Sequence, residues 1–206
     1  MTRLLLVPSG LTDWHEQHRI AGDTDLPLSA DGLRQATTHG AAIAPFNPTA
    51  VYSGPEESAR QTAGLIAKSL GIRARSIAGL KEVALGHWQG LSHEEFEDRF
   101  ERIAKVWQSE PLAITPPEGE SLKDAEKRLG AALQKIVKRK PDETLVVVLG
   151  PLACAVLRCR FATDAYERFW EFVEEPATHH ELDVAPGSFI ASRPGSTESG
   201  TPAEDS

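Results

Sequence analysis

The stretch Thr144-Leu145-Val146-Val147-Val148-Leu149-Gly150-Pro151 is an unbroken apolar run that ends on two turn-forming residues. Its length suits a strand buried on both faces, and three successive valines favour the pleated backbone. Gly150-Pro151 then turns the chain into an apolar helix that holds Cys154 and Cys159. The same grammar recurs upstream. Leu4–Val7 reads as a buried strand stopped by Pro8-Ser9-Gly10, and Ala50–Ser53 as a short strand. Pro55 opens a helix that runs to about Leu70 and stops at Gly71. Ser29 caps a helix that turns Leu33, Ala36 and Ile43 toward the core and closes before Pro45. Ser92 with Glu95, and Ser121 with Asp124, head two further helices, the second reaching about Lys138, while Leu80–Gly90 reads as an ordered loop.

Strands alternating with helices predict one α/β domain over residues 1–192, a three-layer α/β/α sandwich with a mostly parallel central sheet. Segments around Thr178–Val184 and Ser188–Ala191 are expected to form its antiparallel edge, and residues 193–206 a disordered polar tail. In such sheets the functional crevice lies beyond the carboxyl ends of the strands. That singles out Pro8-Ser9-Gly10, the loop 54–58 and Gly150-Pro151.

Composition narrows the setting. The 206 residues are 40% hydrophobic and carry a net charge of −8 with no basic cluster, which disfavours nucleic acid and anionic membranes as partners. The longest apolar run, Leu145–Leu149, is far short of a membrane span, and the N-terminal apolar stretch is too short for an export signal. Cys154 and Cys159 lack metal-ligand spacing and read as reduced core residues, so a cytoplasmic protein without metal or other cofactor is expected.

Read together, the loops carry a pattern. Gly10-x-Thr12-x-Trp14, Arg19-Ile20-x-Gly22 and Asp25-x-Pro27-Leu28-Ser29-x-x-Gly32-x-x-Gln35-Ala36 come first. Val51-Tyr52-Ser53 with Ala59-Arg60-Gln61-Thr62-Ala63 follows, then Leu80-x-Glu82-x-x-x-Gly86-x-Trp88-x-Gly90 and Glu118-Gly119-Glu120-Ser121-Leu122. In this order, over residues 1 to about 192, they resemble the histidine phosphatase (phosphoglycerate mutase-like) superfamily. The resemblance implies a histidine that takes the phosphoryl group on nitrogen, and two arginines and a second histidine that hold its oxygens. It also implies an acidic residue that protonates the leaving oxygen.

Carried onto this chain, the first arginine falls on Pro8, the nucleophile on Ser9, the second arginine on Ser58, the second histidine on Gly150 and the acid on Glu82. Only Glu82 keeps the residue type. Pro151 stands where the family usually has glycine, and His15 where it has asparagine. Arg60, about 200° around a helix from Ser58, is expected to point away, and Arg3 lies at the far end of its strand. His39, His93, His179 and His180 fall outside the three loops.

A cavity stripped of its positive charge is expected to repel anions. The expectation is therefore a catalytically inactive family member that binds a protein partner or a non-phosphate ligand, with a homodimer left open. The alternative is a divergent hydrolase or weak residual phosphatase with a site rebuilt around Ser9, His15 and Glu82. Pocket residues are expected to include His15, Arg19 and Pro151. Glu82 reads first as a carboxylate bonded to loop backbone and second as a surviving acid. Trp107, Phe169, Trp170 and Phe172 read as core, with a partner surface as the other outcome.

Overall fold

The computed structural model describes residues 1–162, 166–175 and 179–185. Five strands, β1 (Thr2–Pro8), β2 (Ala50–Ser53), β3 (Ala74–Ser76), β4 (Thr144–Leu149) and β5 (His180–Val184), form one sheet in the order β3-β2-β4-β1-β5. All pairings are parallel except β1 with β5. The helices are α1 (Asp13–Glu16), α2 (Ala30–Ile43), α3 (Glu57–Leu70), α4 (His93–Ser109), α5 (Leu122–Arg139), α6 (Pro151–Phe161) and α7 (Phe169–Glu174).

Strand alternation divides the core in two. Leu4, Leu6, Leu145, Val147 and Leu149 face one side of the sheet, with α5, α6 and the aromatic residues of α4 and α7. Leu5, Val7, Val146 and Val148 face the other, against α2 and α3. Both faces of β1 and β4 are therefore dry, which is why their sequences are continuous apolar runs. This is the expected three-layer sandwich with an antiparallel edge.

The helix starts follow the predicted caps. The hydroxyls of Ser29, Ser92 and Ser121 each accept from the backbone N–H three residues on. Glu95 returns the bond to the Ser92 N–H at 2.9 Å. Gly71, at φ 67°, ends α3 in the left-handed conformation that glycine tolerates.

Four details differ from expectation. Leu33 is 46% exposed, because the apolar stripe of α2 runs through Ala36 and Ile43 instead. The helix after Pro55 begins at Glu57, with Glu56 as its cap. β3 carries no apolar alternation and all three of its residues are exposed, so nothing in its composition announces a strand. Leu80–Gly90 contains a short 3-10 turn at Gly86–Trp88 and begins on another, Ala78–Leu80. The segment Ser188–Ala191 and the tail 193–206 lie outside the described residues. Trp107, Phe169 and Phe172 are core, with Trp170 packed against them.

One glycine fixes how the first loop lies on α2. A Cβ at Gly32 would sit 2.8 Å from the Leu11 nitrogen and 2.9 Å from its carbonyl carbon, so backbone meets backbone there. Gly32→Ala is expected to cost about 1–3 kcal/mol, as overpacking does, and to lower the midpoint of chemical denaturation without changing its slope.

Candidate functional site

The register of β1 on β4 pairs Pro8 with Leu149, so both chains leave the sheet side by side. The Ser9 N–H then donates to the Leu149 carbonyl at 2.7 Å, and the Gly54 N–H to that of Val148 at 3.0 Å. Three loops thus converge beyond the carboxyl ends of the strands. They open on a cavity of about 550 Å³ whose lining includes Ser9, His15, Arg19, Ser58, Glu82 and Gly150. Pro151 lines it too, so all three predicted pocket residues are present. Pro8 belongs to β1 and is not among the lining residues.

The approach to the cavity is built by the loop from Leu11 to Leu28. Ser29 N–H donates to Leu11 O at 2.9 Å, Leu28 N–H to the Gln61 side chain at 2.8 Å, and Ser58 N–H to Leu26 O at 2.9 Å. Inside it, the His15 ring folds back on Thr12. Its Nδ1 accepts the Thr12 N–H at 3.2 Å and lies 2.8 Å from the Thr12 hydroxyl. A ring nitrogen that accepts a backbone N–H carries no proton, so the neutral ring bears its hydrogen on Nε2. Burial, and secondarily the neighbouring His93, hold His15 below the usual imidazole range. The hydroxyl that His15 holds is that of Thr12, so a Ser9–His15 dyad gains no support.

His93 itself corrects an expectation. It falls outside the three loops, at the start of α4, yet it lines the cavity. A β-bridge between Arg19 and Ser92 ties the first loop to the start of α4, and the His93 N–H donates to His18 O at 2.9 Å. Two distant segments are thereby joined, a contact no local pattern announces. Arg19 donates to the Gly90 carbonyl at 2.6 Å. Arg60 behaves as expected, facing Asp25 at 4.0 Å and absent from the lining.

The acidic side of the cavity is more tightly built. Glu82 is 4% exposed. Its Oε2 accepts the Leu152 N–H at 2.9 Å, and its Oε1 accepts those of Ala153 at 2.7 Å and Val83 at 2.6 Å. The carboxylate bonded to backbone is therefore observed, although the backbone is chiefly that of α6. Glu56, which sequence reasoning passed over, accepts the Glu82 N–H at 2.9 Å and is itself buried. Burial pushes the Glu82 carboxyl up to about 8 against the pull of its backbone donors, with a smaller upward push from Glu56. Glu56 is raised for the same leading reason. Part of the remaining wall is aromatic, where Trp88 packs on Phe96 at 4.7 Å and on Trp107 at 5.5 Å, and Glu97 and Glu174 line the cavity as well. Among the described residues no group of three His, Cys, Asp or Glu side chains is placed to hold a metal ion, and no helix is long and apolar enough to cross a membrane.

Comparison with known proteins gives a consistent family. The pattern of the histidine phosphatase superfamily, branch 1, matches residues 4–196. Phosphoserine phosphatase 1 of Hydrogenobacter thermophilus is 26% identical over 184 residues, covering 89% of this chain and 87% of its own. The structure of Bacillus stearothermophilus YhfR superposes with a TM-score of 0.82 at 26% identity, over 91% of this chain and 93% of that one. A histidine-to-alanine variant of Entamoeba histolytica phosphoserine phosphatase, solved with phosphoserine, matches at TM-score 0.72 and 26% identity, over 83% and 85%. These relatives overturn the expectation of an inactive, partner-binding protein. Relatives whose names state an activity are phosphatases or probable phosphoglycerate mutases, and none is named for inactivity or for binding another protein.

The raised Glu82 carboxyl has a consequence for stability. Between its ordinary value of 4.5 and about 8, the folded state keeps a proton that the unfolded chain has released. This group's contribution is therefore complete below 4.5 and is lost as pH rises toward about 8. Glu82→Gln is expected to flatten that decline in denaturation curves measured from pH 5 to pH 9; an unchanged slope would refute the assignment to Glu82.

Proposed function

This chain belongs to the histidine phosphatase superfamily, and we propose that it is a divergent phosphomonoester hydrolase whose site is rebuilt around Ser9, His15 and Glu82. The observation that carries the proposal is convergence. Four of the five positions onto which the family's catalytic residues map, Ser9, Ser58, Glu82 and Gly150, line one cavity together with His15, His93 and Arg19. Two of the relatives that support a phosphatase act, by their names, on phosphoserine. The Entamoeba variant is a further support, since on that scaffold a phosphomonoester is held with a histidine replaced.

The chemistry follows from what stands at each position. Position 9 holds no imidazole, and His15 holds the Thr12 hydroxyl instead of activating that of Ser9, so the phosphoryl group passes to water in one displacement. A bond forms from the water oxygen to phosphorus as the bond to the leaving oxygen breaks. Glu82, which burial keeps protonated up to about 8, gives its proton to that leaving oxygen and is recharged from solvent. The proton released by the water passes to a phosphoryl oxygen. His15 presents Nε2–H as a neutral donor, Arg19 supplies the cation, and the Ser9 and Ser58 hydroxyls supply weaker ones.

Each strong donor missing from a preorganised site lowers the rate roughly a hundred- to a thousandfold, though such losses do not add. Turnover is therefore slow, well under the roughly 10 s⁻¹ of a typical enzyme. A weak charge clamp also shifts binding onto the body of the substrate, which the aromatic wall accommodates. The two buried thiols, Cys154 and Cys159, fit a reducing, cytoplasmic setting.

Purified protein is expected to release phosphate from p-nitrophenyl phosphate and phosphoserine slowly but above a Glu82→Gln, His15→Ala control. Activity should fall as pH rises through about 8, where the acid form of Glu82 is lost. Rapid quench during turnover should trap no phosphoenzyme. Equal rates for the native protein and the control would end the proposal.

A further inference from the structure

The seat at the head of α6 is already filled by the protein itself. Pro151 has no N–H, so the first donors the helix offers are those of Leu152 and Ala153. Such a helix start attracts phosphate and other anions. Here both donors are taken by the Glu82 carboxylate, at 2.9 and 2.7 Å.

What permits this is the residue at position 150. A Cβ on Gly150 would lie 2.6 Å from the Glu82 carboxyl carbon and 2.9 Å from its Cγ, closer than any side chain can stand. Those atoms are the end of a flexible side chain, so a Cβ at 150 would push the Glu82 carboxyl group aside, while the Glu82 backbone is held on two sides. Its N–H is held by Glu56. On the other side Arg128 donates to the carbonyls of Gly79 at 3.1 Å and Lys81 at 2.8 Å, while paired with Glu120.

We propose that Gly150 and Glu82 form a latch, in which the absent side chain leaves the anion seat open and the Glu82 carboxyl group fills it. Gly150 is thus the positioning residue for Glu82, and a phosphoryl group reaches the Leu152 and Ala153 donors only by displacing that carboxyl group. The latch rests on the hydrolase proposal for its substrate, and it adds the order of events. The Glu82 carboxyl group leaves the two backbone donors first, and the phosphoryl group then takes them.

Binding of inorganic phosphate, measured by calorimetry without any turnover, tests the latch. Against the native protein, Glu82→Ala and Gly150→Ala should each bind phosphate about tenfold more tightly or better, as freed backbone donors allow. The double variant should gain nothing over the tighter single one, because both changes open one seat. Glu56→Gln removes a neighbouring negative charge while the seat stays filled, and should gain clearly less. No gain in Glu82→Ala, or an equal gain in Glu56→Gln, overturns the latch. Should Gly150→Ala fail to fold, Glu82→Ala still decides, with the Leu152 and Ala153 amide resonances expected to shift on loss of the carboxylate. A tighter phosphate complex without hydrolysis would retain the latch and remove the hydrolase; hydrolysis with no gain would do the reverse.

Discussion

Everything at the site depends on the parallel pairing of β1 with β4, the two central strands of the sheet. Because Pro8 lies opposite Leu149, the residues that follow, Ser9 and Gly150, leave the sheet together. A slip of one residue would exchange the two faces of either strand and expose half of its leucines and valines. The register is thus enforced by burial on both sides, and the geometry of the cavity inherits that rigidity. Chemistry at these positions changes without disturbing the frame, since side chains beyond the strand ends carry none of the core.

The frame was legible in the sequence for the same reason. Continuous apolar runs, serine caps with acidic partners three residues on, and glycine stops are local signals backed by large burial, and the fold follows them. Signals failed where the deciding contact is distant. β3 is recognised only by its pairing with β2 and not by its three exposed residues. His93 enters the site through the bridge from Arg19 to Ser92, which joins segments some seventy residues apart. Glu56 looks like an ordinary residue at the start of a helix until Glu82 is found against it. Of the site, the three loops and the placing of His15, Arg19 and Pro151 in the cavity were legible. The neutralised inner wall was not, because side-chain identity alone does not say which backbone donors a carboxylate will take.

The electrostatic balance of the cavity follows from those pairings. Two buried carboxyls lie close together, and desolvation discourages both from ionising. The imidazole of His15 is pressed toward its neutral form as well. A formal count of acidic and basic lining residues therefore overstates the field that a ligand meets. The inner end is nearer to a set of neutral donors and acceptors than to an acidic trap, while Arg19, which faces Glu95 at 4.0 Å, lines the cavity together with Glu97 and Glu174. An expectation of plain anion repulsion assumed that every carboxyl there carries its charge.

This coupling also bears on how such a site changes. Position 150 and position 82 cannot vary independently, because any side chain at 150 meets the Glu82 carboxyl group. A histidine placed at 150 alone would have to expel Glu82 from α6 before it touched a substrate. Conversely, without Glu82 the Leu152 and Ala153 donors would stand unpaired at a largely buried helix start, at a cost of about 1–3 kcal/mol for each one left without water. The present pair is self-consistent: a missing side chain and a folded-in carboxylate satisfy each other. A side chain at 150 is accommodated only by swinging the Glu82 carboxyl group out of the seat, which water or phosphate can then fill.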